Sequence, residues 1–174
     1  QEGENKIVIT AWNTDNLVSR KELNVTRVGE EDIDAPPVTG LNNNNGFAVV
    51  IGISKYESKD IPPVNYARRD AAVVKDYLIK TLGFKETNIK EFYDEQATFT
   101  KLTSYFKTHL KNRVQPDISD VFIFYSGHGV PEGNEAYFAP YDLDPGDIKN
   151  TGYAVKELYA QLNAIKAKGI TVAI

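Results

Sequence analysis

The 174-residue chain has no cysteine and no methionine, one tryptophan, and two histidines, His109 and His128. Without cysteine these residues can hold no disulfide, no zinc–thiolate site and no thiol nucleophile. No apolar run approaches the length of about 18 residues that crosses a bilayer, so no membrane span is expected. Positive charge is also short: the net charge is −4 and the pI about 5.3. No basic stripe interleaved with aromatics stands out, which argues against nucleic acid as a partner. The chain opens on Gln1 and lacks the charged, apolar and small-residue sections of a signal peptide. It is therefore expected to be a section of a longer polypeptide. The remaining composition, 41% hydrophobic and 25% charged, is that of an ordinary globular domain.

Residues 6–12 (KIVITAW) and 21–27 (KELNVTR) alternate with period two around Thr14-Asp15-Asn16. This predicts a β-hairpin over residues 1–27. The pattern resembles the last two strands of an immunoglobulin-like sandwich, although a hairpin packed on the main domain reads equally well. A secreted or cell-envelope location rests on that likeness alone. Residues 28–45 are acidic, then Pro36-Pro37, then four asparagines, and are expected to be a linker.

From residue 46 the chain becomes rhythmic. Strands are expected over 47–53, 88–93, 121–125 and 170–174, and helices over 65–82, 98–112 and 152–167. Thr98 is the expected cap of the second helix, and Gly83 and Gly169 are the stops of the first and third. Regular alternation predicts an α/β fold, a mainly parallel sheet flanked by helices on both faces. In such sheets function gathers at the carboxyl ends of the strands. The third strand runs directly into Ser126-Gly127-His128-Gly129. A histidine there stands at the sheet edge with little steric cover, and imidazole moves protons near neutral pH. The Gly129 N–H is free to point outward as an oxyanion donor must. His109 lies in a helix and is expected at the surface.

Five segments in order, Phe47–Ile53, Asn65–Ala71, Val121–Gly129, Tyr137–Asp142 and Ile170–Ile174, resemble successive landmarks of caspase-like peptidases. The nearest likeness is to the bacterial branch, similar to metacaspases and orthocaspases, and it covers residues 46–174. The resemblance implies a helix-flanked parallel sheet and a histidine–cysteine pair. The histidine falls on His128, with Gly129 as backbone oxyanion donor. The cysteine follows the fourth strand in that family and is expected a few residues past Ile174. The partner is then the remaining C-terminal, small-subunit part of the same domain, and the substrate a peptide or protein. The alternative is a caspase-like binding module with no competent cysteine. An unrelated flavodoxin-like domain would need a Gly-rich phosphate loop after a strand, which residues 52–60 (GISKYESKD) do not offer.

The same resemblance places Asp70 in the pocket for the residue before the cut, implying cleavage after Arg or Lys. Complementing the positive end of its own helix is the bland role for Asp70. Arg68 and Arg69 would instead favour an acidic residue. No cofactor is expected. Calcium activates some relatives, but Asp142, Asp144 and Asp147 depart from the paired spacing of that site and read as a solvated loop.

Overall fold

The computed structural model describes residues 4–12, 18–26 and 35–174, which fall into two compact units divided between Ala35 and Pro36. In the first, β1 (Glu4–Trp12) and β2 (Val18–Thr26) form the expected antiparallel hairpin, in register from Glu4↔Thr26 to Trp12↔Val18. The second strand begins three residues before the expected start. The turn at 14–16 lies outside the described residues. Those residues form two strands and no sandwich.

The second unit is built on a four-stranded parallel sheet of β3 (Phe47–Gly52), β4 (Ile89–Tyr93), β5 (Asp120–Ser126) and β9 (Gly169–Ala173). The strand order is β4-β3-β5-β9. Period two along β3 divides the core. Ala48 and Val50 face α1 (Ala67–Lys80), meeting Ala71, Leu78 and Phe84. Val49 and Ile51 face the other way, into the larger cluster. That cluster takes Leu102, Phe106 and Leu110 from one long helix and Leu158, Leu162 and Ile165 from α5 (Val155–Ile165). Helices therefore cover both faces, as the alternation predicts.

The long helix runs as α2 (Phe99–Ser104), a π-helical turn (Tyr105–His109) and α3 (Leu110–Arg113). Thr98 caps it, its side chain accepting from the Lys101 N–H.

Two expectations need amendment. Residues 36–45, read as linker, are attached to the sheet domain. Thr81 donates its hydroxyl to the Pro37 carbonyl, Thr39 bonds to Lys80 and Thr81, and Asn43 bridges to Phe84. Polar side chains and main chain hold this stretch, so its poverty in apolar residues was no guide. The third helix starts at Val155 rather than 152, because Tyr153–Ala154 (β8) are taken into a small antiparallel sheet. Its other strands are β6 (Gly129–Glu132) and β7 (Glu135–Phe138), joined through Gly133 at φ +62°. A four-residue helix, α4 (Ile148–Thr151), precedes β8.

Candidate active site

The carboxyl ends of β3, β4 and β5 share one edge of the sheet. The chain leaving β3 is braced there by Asp94, a buried carboxylate just past β4. Its Oδ1 accepts from the Ser54 N–H at 2.8 Å and the Lys55 N–H at 3.1 Å. Arg68, in the first turn of α1, reaches the same carboxylate at 3.6 Å and lies over the Tyr93 ring. Two backbone donors and a guanidinium satisfy a charge that would otherwise be costly to bury.

β5 ends one residue before Gly127 and two before His128. The His128 N–H donates to the Tyr56 hydroxyl at 2.7 Å, and its carbonyl accepts from the Tyr125 hydroxyl at 2.8 Å and the Ala139 N–H at 2.9 Å. The Tyr125 hydroxyl also reaches the Ala139 carbonyl at 3.1 Å, and burial is the first cause holding both phenols above their usual range, Tyr125 well above it. Gly127 passes close over this pair. A Cβ there would sit 2.7 Å from the Tyr125 hydroxyl and 3.0 Å from that of Tyr56. Glycine is thus required at 127 by the tyrosines beneath it.

The half-buried imidazole of His128 tilts against the Tyr56 ring, centroids 5.3 Å apart. Its Nε2 lies 2.8 Å from the Pro62 carbonyl oxygen. A carbonyl only accepts, so this nitrogen carries the hydrogen, and in the neutral ring Nδ1 holds the lone pair. The exit loop of β3 therefore sets the tautomer as well as the ring's orientation. Replacing Tyr56 with phenylalanine leaves the His128 N–H without its acceptor. The expected cost is about 1–2 kcal/mol, read as a lower urea midpoint together with faster hydrogen exchange at the His128 amide.

Gly129 pairs with Phe138 across β6 and β7, while the neighbouring His128 carbonyl bonds to the Ala139 N–H. Hydrogen-bonded and non-bonded pairs alternate in an antiparallel ladder, so the Gly129 N–H points away from β7. A Cβ at 129 would meet nothing nearer than 4.0 Å, so no neighbour in this unit requires glycine there. His128 and Gly129 line one cleft of about 300 Å3 with Asp60, Pro62, Val130 and Leu143.

Asp70 is exposed in the first turn of α1 and is not among the residues lining that cleft. The aspartates of the 142–147 loop are used locally. Asp142 accepts from the Phe99 N–H, Asp144 from the Gly146 N–H, and Asp147 from the Asn150 amide. No group of three or more potential ligands for a metal ion occurs among the described residues. His109 is exposed and stacks on Tyr105, away from His128. Tyr56, Pro62, Asp60 and Asp94 escaped the sequence reading. The first three lie in the irregular stretch after β3, and Asp94 follows β4 with no motif around it.

A family model for the caspase domain matches residues 45–169. Among solved structures, the crystal structure of protein GSU0716 from Geobacter sulfurreducens is similar at a TM-score of 0.56 and 20% identity, over 74% of this chain and 48% of that one. The structure of pro-sf-caspase-1 aligns at a TM-score of 0.49 and 15% identity, over 85% of this chain and 52% of its own. The chain thus spans about half the length of the solved structures it matches. No curated protein matches the sequence.

Proposed function

Because the chain belongs to the caspase-domain family, we propose that it supplies the histidine side of a cysteine endopeptidase active site. The observation that carries this reading is the Nε2 contact to the Pro62 carbonyl at 2.8 Å, which leaves Nδ1 of His128 as a base. An unengaged backbone N–H at Gly129 stands next to it in the same cleft. β9 runs parallel beside β5 and pairs as far as Phe124↔Ala173. Residues following Ile174 would emerge at the sheet edge that carries His128, and we place the nucleophilic cysteine there.

In this mechanism the thiol passes its proton to Nδ1 of His128, and the thiolate attacks the scissile carbonyl carbon. The resulting oxyanion is met by the Gly129 N–H and the N–H of the cysteine. The imidazolium returns its proton to the amine as the C–N bond breaks, leaving an acyl-enzyme. Water, deprotonated by Nδ1, releases the acid and restores the thiol.

For specificity we propose cleavage after Arg or Lys, with the Asp70 carboxylate recognising the cation. Arg68, the competing candidate for an acidic preference, already serves Asp94 and Tyr93. The pocket is completed by residues past Ile174. The test is an assay of the polypeptide that includes those residues, on Arg-, Lys- and Asp-terminated peptide reporters. Basic reporters are expected to be cleaved, and Asp70→Asn to lower kcat/KM on them by about ten-fold through loss of one charge-assisted contact. Unaltered cleavage in that variant removes Asp70 from the pocket. A caspase-like binding module without a competent nucleophile is the second reading. A cysteine soon after Ile174 decides between the two.

A further inference from the structure

From Gln96 to Pro116 the chain has no acidic residue, yet it carries Lys101, Lys107, Lys111 and Arg113 with His109. In a protein of net charge −4 this is a separate positive field. Together with Lys90 on β4, these lysines pair with no carboxylate among the described residues. Lys101 reaches only the Glu95 carbonyl, and Lys90 lies over the Phe92 ring at 4.9 Å.

Between this helix and β4 lies a groove of about 470 Å3, larger than the cleft of about 300 Å3 at His128. Lys90, Phe92, Lys101, Ser104, Tyr105 and His109 line it. Tyr105 meets Phe92 edge-on at 5.4 Å, and the His109 ring stacks on Tyr105 within 4° of parallel. The π-helical turn Tyr105–His109 has more residues per turn than an α-helix and brings positions four apart nearly into line; such turns recur at functional sites.

β4 is also the outermost strand of its sheet and pairs, among the described residues, with β3 alone. An outer strand offers a row of backbone donors and acceptors to an added strand. Glu91, between its groove-facing Lys90 and Phe92, turns to the other face, where it binds Lys75. A free strand edge, an aromatic floor and unpaired cations thus adjoin one another.

We propose that this edge binds an extended acidic peptide, whose backbone pairs with β4 while alternate side chains enter the groove. Phe92 and Tyr105 are themselves buried, so an aromatic or aliphatic side chain packs above them against the exposed His109 ring and the Lys90 stem, and flanking carboxylates meet Lys90 and Lys101. A nucleic acid strand gains nothing from the backbone edge, which is why the peptide is the favoured occupant. The site is separate from His128 and does not depend on the peptidase reading.

The probe is a fluorescein-labelled, end-blocked peptide, Ser-Asp-Thr-Phe-Thr-Asp-Ser, titrated with the 174-residue chain by fluorescence anisotropy. Saturable binding that weakens with salt is expected. The peptide with Lys in place of Asp, and the Lys90→Glu, Lys101→Glu double variant, should each bind at least about ten-fold more weakly. The circular dichroism spectrum and thermal midpoint of the variant should be unchanged. Hydrogen exchange should slow at Ile89–Tyr93 on binding. Equal binding by the double variant, no saturation at millimolar protein, or tighter competing binding of a twelve-nucleotide oligothymidylate would each overturn the proposal.

Discussion

Replacing His128 with alanine is expected to lower kcat/KM by about 1,000-fold or more in the polypeptide that carries the thiol. The loss follows from position. His128 is the one histidine in the cleft, since His109 stacks on Tyr105 elsewhere. The His128 ring is held in orientation by the Pro62 carbonyl and the Tyr56 ring. Stability should fall by only about 1 kcal/mol, because the imidazole's bond to the Pro62 carbonyl is lost while the backbone bonds of residue 128 to Tyr56, Tyr125 and Ala139 remain. The decisive readouts are turnover on a basic reporter and the rate at which iodoacetamide alkylates the nucleophile. Both should fall, the second because the thiol loses the base that ionises it. Undiminished turnover would place the base on another residue and end the mechanism proposed above.

Gly52→Val should cost more stability than either substitution at the site, Tyr56→Phe or His128→Ala. Gly52 closes β3 where α1 crosses it, and an added Cβ would lie 2.6 Å from the Ala67 carbonyl oxygen, 2.8 Å from the Ala71 Cβ and 3.0 Å from the Arg68 Cα. These atoms belong to a helix backbone and a buried alanine, so no flexible side chain can give way. Moving α1 outward would open the Ala48, Val50, Ala71 and Leu78 cluster. The cost expected from such overpacking is about 3 kcal/mol. For a domain of this size that lowers the thermal midpoint by about 10 °C. Differential scanning calorimetry of both proteins reads it directly, and a midpoint within about 2 °C of wild type would show that α1 yields more easily than the contacts imply.

The parallel sheet was legible because its signals are local and repeated. Phe47–Ile53 and Val121–Tyr125 are short β-branched or aromatic runs, and Leu102, Phe106 and Leu110 fall at helical spacing. The Thr98 cap and the Gly83 stop are single-residue signals with a definite mechanism. The small sheet was missed because β6 begins inside the Gly129 motif and β8 is two residues long, too short for any period to register. At the site, Gly127-His128-Gly129 announced itself by two glycines around an imidazole. Its support did not. Tyr56 and Pro62 act on His128 from 72 and 66 positions away, through one hydroxyl and one carbonyl. A contact of that separation leaves no trace in the spacing of a single sequence. Residues 36–45 erred the opposite way: their polar character read as disorder, whereas hydrogen bonds to Lys80, Thr81 and Gly83 fasten them.

The strand order also has a bearing on how the domain assembles as it is made. β3 emerges first and sits in the interior of the sheet; β4 and then β5 pair against it, and β9 pairs against β5. Each strand therefore meets a partner that has already left the ribosome, and none must wait for one still to come. Growth proceeds outward from a buried apolar seed, with the crossover helices laid down in the same sequence. The histidine's supports, Tyr56, Pro62, Tyr125 and Ala139, have all left the ribosome before β9 arrives.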